Sequence, residues 1–172
     1  MKNLKMFMLS IGLVMALAAC NNEETKSAEQ IVDENAVSFE VANGEVEEVK
    51  DIPEATKEKI IAAFNEYIVS FNEGDVERYI ATLSTNPEGF NLDEERETLT
   101  STFAAYEVER IPDHITITKY TEDEVNVYAT LKTNLVEKET GTSVESQGKQ
   151  VTVLTQENNE WKISSVFYIG EE

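Results

Sequence analysis

The chain has 172 residues, and its 34 Asp and Glu outnumber its 14 Lys and Arg, for a net charge of −20. This acidity argues against nucleic acid as a partner, because nucleic-acid binding depends on basic patches that face phosphates. A single Cys and a single His leave neither a disulfide within the chain nor the cluster of ligands that zinc needs.

The N-terminal segment has the pattern of a secretory signal. Lys2 and Lys5 form a basic start, and residues 6–19 contain no charge. Small residues follow the apolar run, and this order of features is typical of a cleaved signal peptide. The run is also shorter than the ~20 residues that a membrane-spanning helix needs.

The four residues Leu17, Ala18, Ala19 and Cys20 resemble the lipobox of bacterial lipoproteins at every position. The resemblance implies a diacylglycerol on the Cys20 thiol and cleavage between Ala19 and Cys20. Two acyl chains are generally enough for stable anchoring. We therefore expect a signal peptide at residues 1–19 and a lipid-anchored protein on the extracytoplasmic face of the cell membrane. The alternatives are a plain signal peptide cut elsewhere and an uncleaved anchor.

An acidic stretch follows the cysteine. Removal of residues 1–19, which hold two lysines and no acids, would lower the net charge from −20 to −22. Because low hydrophobicity and like charge oppose folding, residues 20–50 are predicted to be a flexible tether, disordered at least over 21–35. Within it, the alternation of Val37, Phe39 and Val41 before Asn43-Gly44 indicates a short hairpin over 37–49. The acidity of the chain also indicates solubility rather than a specific cationic ligand.

Residues 51–172 have the length of a single domain, and their first half has helical periodicity. One helix is predicted to start near Pro53 and to end at Gly74, with Asp75 as the N-cap of a short second helix. A third helix is predicted from Asp93 to Glu109, ended by Ile111-Pro112. Its first turns are acidic, which the helix dipole favours.

The second half alternates with a period of two, which predicts strands. Each of the four predicted strands carries alternating apolar residues. In chain order they are Ile115 and Ile117; Val125, Val127, Ala129 and Leu131; Val151 and Val153; and Trp161, Ile163 and Phe167. The short joins between the strands favour an antiparallel meander. The predicted fold class is α+β, with three N-terminal helices packed on a curved, four-stranded antiparallel sheet.

This order of elements resembles the nuclear transport factor 2-like superfamily over about residues 54–170. Gly74-Asp75 after the first helix and Trp161-Lys162-Ile163 in the last strand add to the resemblance. It implies a cone-shaped domain, a fold shared by ketosteroid isomerases, polyketide cyclases, transport factors and many secreted bacterial lipoproteins. The alternative is a cystatin-like packing of one helix on a sheet, which leaves two helices unexplained.

Candidate catalytic groups are few. His114 has the right intrinsic pKa for a base, but it starts a strand after Pro112-Asp113, where side chains commonly face solvent. Asp75 suits a helix cap better than a proton acceptor. Enzymes of the resembled superfamily use an Asp in the cone, often with Tyr or His, and no such Asp can be assigned here. The acidic clusters lack the spacing of a calcium loop, so neither a metal nor a cofactor is expected.

The tyrosines and the tryptophan fit the core or a pocket rim, since rings with polar tips suit pocket mouths. Tyr67, Tyr106 and His114 are the candidates for lining a pocket. We expect the protein to be a membrane-anchored lipoprotein with a non-catalytic domain that binds a small ligand or a surface protein. The alternatives are an isomerase, cyclase or dehydratase that uses a buried carboxylate or His, and a structural envelope lipoprotein.

Overall fold

The computed structural model describes residues 41–42 and 45–171, with side chains from residue 46 to 170. The predicted signal peptide, its cleavage site at Ala19 and Cys20, the lipid on Cys20 and the tether over residues 21–35 all lie outside the described residues.

In the described part of the chain, three helices lie between a short hairpin and the main sheet, and the local sequence explains several of their ends. They are α1 (Glu54–Asn72), α2 (Val76–Thr82) and α3 (Leu92–Ala105). Gly74 follows α1 with φ +67°, the left-handed conformation that glycine adopts readily. The Asp75 side chain accepts a hydrogen bond of 3.1 Å from the Arg78 N–H and caps α2 as predicted. The Asn91 side chain caps α3 in the same way.

Within residues 41–42 and 45–171, six strands form two sheets. The strands β1 (Val41–Ala42) and β2 (Glu45–Val46) pair as a short antiparallel hairpin. A four-stranded antiparallel sheet follows in the order β3-β4-β5-β6. Its strands are β3 (Tyr106–Tyr120), β4 (Glu124–Glu137), β5 (Ser143–Glu157) and β6 (Glu160–Glu171). The predicted α+β class, with three helices before an antiparallel meander, is confirmed.

The predicted end of the third helix is wrong. The helix α3 ends at Ala105, and β3 starts at Tyr106, so the residues up to Glu109 lie in a strand. Pairing with β4 from Tyr106 onward outweighs the helical pattern of that segment. Pro112 lies inside β3 rather than after a helix, which the strand tolerates because β3 is at the edge of the sheet.

The sequence pattern also predicts Phe167 on the same face of β6 as Trp161 and Ile163, and this prediction is wrong. The pairing of β5 with β6 shifts between Val153 and Leu154, which leaves Ser164 as an extra residue in β6. Such a bulge reverses the side of every later residue. Val166 therefore packs on the core together with Trp161 and Ile163, and Phe167 lies on the opposite face.

The core lies between the helices and one face of the sheet, which we call the inner face. We call the space between them the cone interior. Both sides contribute buried apolar residues, and these include Ile60, Phe64, Ile68 and Phe71 from α1, and Val125, Val127, Ala129, Leu131, Leu154 and Ile163 from the sheet. The loop between α2 and α3 closes the β6 edge, where the Ser84 N–H donates to the Ile163 carbonyl at 2.8 Å.

Candidate functional site

Aromatic rings fill the part of the cone interior beside α1 and α2. Phe64 is fully buried, and Tyr67, Phe71 and Tyr79 are at most 4% exposed. The ring centroids of Tyr67 and Tyr79 are 5.2 Å apart. Phe71 meets Phe103 of α3 edge-to-face at 5.1 Å. These spacings are those of favourable aromatic pairs, so the rings pack against one another.

Both tyrosine hydroxyls in this cluster have partners. The Tyr67 hydroxyl accepts a hydrogen bond of 3.2 Å from Arg110 Nη1. The Tyr79 hydroxyl donates to Glu95 Oε1 at 3.0 Å. The Arg110 guanidinium also lies 3.5 Å from the centroid of the Phe71 ring, within the range of a cation–π contact. We call Tyr67, Tyr79, Glu95 and Arg110 the tyrosine network.

The network is poorly suited to move protons near neutral pH. Burial raises the pKa of the Tyr79 phenol well above its ordinary value, and the nearby Tyr67 and Glu95 raise it further. General acid–base catalysis works best when the pKa of the group lies near the working pH. Among the side chains described, from residue 46 to 170, the buried polar ones are Ser, Thr, Asn and Gln, and no Asp, Glu, His, Lys or Arg is buried.

The three residues predicted to line a pocket lie in different places. Tyr67 belongs to the tyrosine network in the cone interior. Tyr106 borders a separate pocket of about 470 Å³ where α3 passes into β3, together with Phe103 and Asn134. The side chain of His114 is 76% exposed and lies 3.3 Å from the Asp113 carboxylate.

Sequence reasoning missed two members of the network, Glu95 and Arg110. In the sequence, Glu95 fits the acidic start of the third helix, and Arg110 lies just past the predicted end of that helix. Alternation of Tyr106, Val108 and Arg110 places these residues on one side of a strand, and it is the only sequence pattern that points to Arg110.

A second concave site lies outside the cone interior. It is a groove of about 460 Å³ between α1, α2 and the turn from β5 to β6. We call it the Trp161 groove, and its lining residues include Lys59, Ala62, Glu66, Arg78, Ala81, Trp161 and Lys162. Trp161 is 6% exposed, and its indole nitrogen has no hydrogen-bond partner in the described part of the chain.

Ion pairs hold two of the three cations of the groove. Arg78 binds both carboxylate oxygens of Glu66 and also contacts Glu73. These bonds raise the pKa of Arg78 and lower that of Glu66. The Lys162 ammonium lies 2.7 Å from Glu160 Oε2 and 2.9 Å from the Ala81 carbonyl oxygen. Lys59 has no ion pair with any described residue.

Within residues 41–42 and 45–171, no group of three or more His, Cys, Asp or Glu side chains could hold a metal ion. No helix in the same part of the chain has both the length and the apolar character needed to cross a membrane.

Residues 62–169 match a family of domains described as the C-terminal domain of the anti-sigma-I factor RsgI9. The chain belongs to this family. The match covers α1 from its second half onward and nearly all of the sheet, so it includes the tyrosine network and most of the Trp161 groove. No curated protein matches the chain in sequence.

Solved structures share the fold. A nuclear transport factor 2-like superfamily protein from Salmonella enterica serovar Typhimurium is 16% identical, with a TM-score of 0.62 over 69% of this chain and 93% of that one. A ketosteroid isomerase-like protein from Erwinia carotovora is 18% identical, with a TM-score of 0.54 over 67% of this chain and 95% of that one.

A protein with a cystatin-like fold from Nostoc punctiforme is 16% identical, with a TM-score of 0.55 over 73% of this chain and 96% of that one. At these identities the likeness shows the fold alone. The fold is therefore nuclear transport factor 2-like.

Proposed function

We propose that this protein is an extracytoplasmic lipoprotein, anchored through Cys20, whose C-terminal domain binds a ligand or a surface protein without chemical turnover. The observation that carries the non-catalytic part is the pairing inside the cone interior. The hydroxyls of Tyr67 and Tyr79 are committed to Arg110 and Glu95, and rings fill the surrounding space. An enzyme of this fold would need a titratable group that faces an open pocket.

The family supports a binding role. The domain that gives the family its description is part of an anti-sigma factor, which is a regulatory protein. A binding role for the present domain agrees with that description, and a membrane tether would raise its effective concentration for partners on the same surface. The complete lipobox at residues 17–20 and the acidic residues that follow it support the anchor.

The anchor is tested by metabolic labelling with a fatty acid. The wild-type protein and an Asn21→Ala control should be labelled, and Cys20→Ala should not. Equal labelling of all three proteins would overturn the anchor without affecting the proposed role of the domain.

The absence of turnover is tested with purified protein against panels of isomerase, dehydratase and hydrolase substrates. We expect no turnover above that of a blank. The fold shared with the ketosteroid isomerase-like neighbour and the hydrogen-bonded hydroxyls of Tyr67 and Tyr79 make a cone enzyme the second candidate. Turnover that disappears in Tyr67→Phe or Tyr79→Phe, with the fold intact, would establish that second candidate instead.

A structural envelope role is the remaining alternative, and a filled cone interior is compatible with it. Binding measurements separate the two, since a purely structural lipoprotein needs no selective ligand site.

A further inference from the structure

The main sheet has two edge strands, and contacts within the chain block one of them, β3. The Asn72 side chain donates to the Arg110 carbonyl oxygen at 2.8 Å and accepts from the Arg110 N–H at 2.8 Å. Pro112 offers no N–H to a further strand, and the strand pairing is irregular between Asp113 and Thr116. Features of this kind keep an edge strand from pairing with another chain.

The other edge strand, β6, is closed over its first half only. The Ser84 N–H donates to the Ile163 carbonyl at 2.8 Å, and the Glu88 N–H donates to the Ser164 carbonyl at 2.7 Å. Over residues 165–171, no other described element makes a backbone hydrogen bond to this edge from outside the sheet. An edge strand with unpaired N–H and C=O groups is a template for an added strand.

The alternation of the strand shows which backbone groups point outward. The Ser164 carbonyl points outward, since it accepts a hydrogen bond from the Glu88 N–H. Pairing of β5 with β6 is regular after this point, and the backbone groups of every second residue point the same way. The groups of Val166, Tyr168 and Gly170 therefore point outward, and this open edge is symmetric about Tyr168.

The side chains beside the open edge are apolar or small. Residues 165–170 contain no charge, in a chain with a net charge of −20. Tyr168 is 44% exposed and Ile169 is 43% exposed, on opposite faces of the sheet. The Tyr168 ring lies against Gly148, where a Cβ would come within 2.6 Å of it. A strand that adds to this edge should thus be uncharged and should carry apolar side chains.

The same segment of a second copy meets this description. When β6 pairs antiparallel with its own copy about Tyr168, Phe167 lies opposite Ile169 of the second copy. Glu171 lies opposite the uncharged Ser165, so the pairing places no like charges opposite each other. Contacts in which the same surface is used on both subunits are typical of two-fold dimers.

We propose that the open edge of β6 pairs with the β6 edge of a second copy, so that two four-stranded sheets join into one. A contact through one pair of strands is smaller than the standard interface of about 1,600 Å², so association in solution should be weak. Anchoring of both copies to one membrane would raise their effective concentration. That last step rests on the proposed lipid anchor, whereas the pairing does not.

The test uses the mature chain from residue 20, carrying Cys20→Ala so that it bears no lipid. Sedimentation should show a monomer–dimer equilibrium with a dissociation constant on the order of 100 μM. Solvent exchange of the backbone N–H groups, followed by NMR, gives the position of the contact. Exchange at Val166, Tyr168 and Gly170 should slow severalfold between about 20 μM and about 2 mM protein.

Two matched variants locate the contact independently. Ile169→Lys should weaken dimerisation about tenfold or more, because it places a charge opposite Phe167 of the second copy. Ile111→Lys adds the same charge at a side chain that is 42% exposed on the other edge strand, and it should dimerise like the parent chain. Both variants change exposed side chains, so both should fold.

A chain that stays monomeric at about 2 mM would overturn the proposal and would favour an extended segment of another protein as the occupant of this edge. The proposal would equally fail if exchange at the three residues did not depend on concentration. Dimerisation that Ile111→Lys abolishes and Ile169→Lys preserves would place the contact at β3 and contradict it. Because the tested chain bears no lipid and no substrate is added, these results are independent of the fatty-acid labelling and of the substrate panels.

Discussion

The polar side chains of the cone interior are buried, whereas those that border the Trp161 groove are partly exposed to solvent. In the interior, the hydroxyls of Tyr67 and Tyr79 bind partners from other elements, and aromatic rings surround them. In the groove, Arg78 pairs with Glu66 and Lys162 pairs with Glu160, and both cationic side chains remain partly exposed to solvent. Buried polar groups that are fully paired rigidify a core, whereas exposed ion pairs contribute little to stability. The contrast indicates that the polar groups of the interior hold the domain together to a greater extent than those of the groove.

The largest expected effect is the loss of an interior ring. Phe64→Ala should lower the free energy of unfolding by about 3–5 kcal/mol, because Phe64 is 0% exposed and its removal leaves a cavity. Val69→Ala, on the same helix at 40% exposure, should cost less than about 0.5 kcal/mol. Urea unfolding measures both. A cost below about 1 kcal/mol for Phe64→Ala would mean that the interior is not packed.

The next effect concerns the Tyr79 hydroxyl at high pH. Tyr79→Phe should cost about 1 kcal/mol at neutral pH through loss of the hydrogen bond to Glu95. The pKa of folded Tyr79 is raised above its ordinary value of 10.0, so its stabilisation is complete below pH 10.0 and is lost as the pH rises further. The stability advantage of the wild type over Tyr79→Phe should therefore shrink above that pH.

Thermal or urea unfolding across the alkaline range tests this, with Tyr168→Phe as the control for loss of a hydroxyl from a side chain 44% exposed. A difference between wild type and Tyr79→Phe that stays constant with pH would contradict the burial of Tyr79.

A smaller effect is expected where Glu157 holds the loop that closes the β6 edge. Its carboxylate accepts hydrogen bonds from the hydroxyl of Ser84 and from the N–H and hydroxyl of Thr85, and these bonds lower the pKa of Glu157. Glu157→Gln should cost about 1 kcal/mol at neutral pH. Because the folded pKa lies below its ordinary value of 4.5, this stabilisation is present above pH 4.5 and is lost as the pH falls through the folded pKa.

Unfolding measured from neutral to acidic pH checks this effect, and Glu139→Gln serves as an exposed control. If Glu157→Gln and Glu139→Gln had the same effect at every pH, the carboxylate of Glu157 would contribute nothing to closure of the edge.

Most of the fold could be predicted from the sequence, but little of the candidate site could be. Helical spacing from Ile60 to Phe71 and alternation from Val125 to Leu131 both survive in the structure, because each pattern reports burial on one face. The face of β6 on which Phe167 lies could not be predicted. The extra residue Ser164 reverses the alternation, and no feature of the sequence indicates that bulge. Arg110 was missed because its inward direction depends on pairing with β4, a contact between distant segments. The groove depends on three elements meeting, so local periodicity cannot reveal it.

The most direct test of the account measures stability and turnover in one double variant. Tyr67→Phe, Tyr79→Phe removes both hydroxyls that bind Arg110 and Glu95 in the interior. We predict that the double variant is less stable than the wild type by about 1–3 kcal/mol, and that neither protein turns over isomerase, dehydratase or hydrolase substrates above a blank. Turnover by the wild type that disappears in a folded double variant would contradict this account.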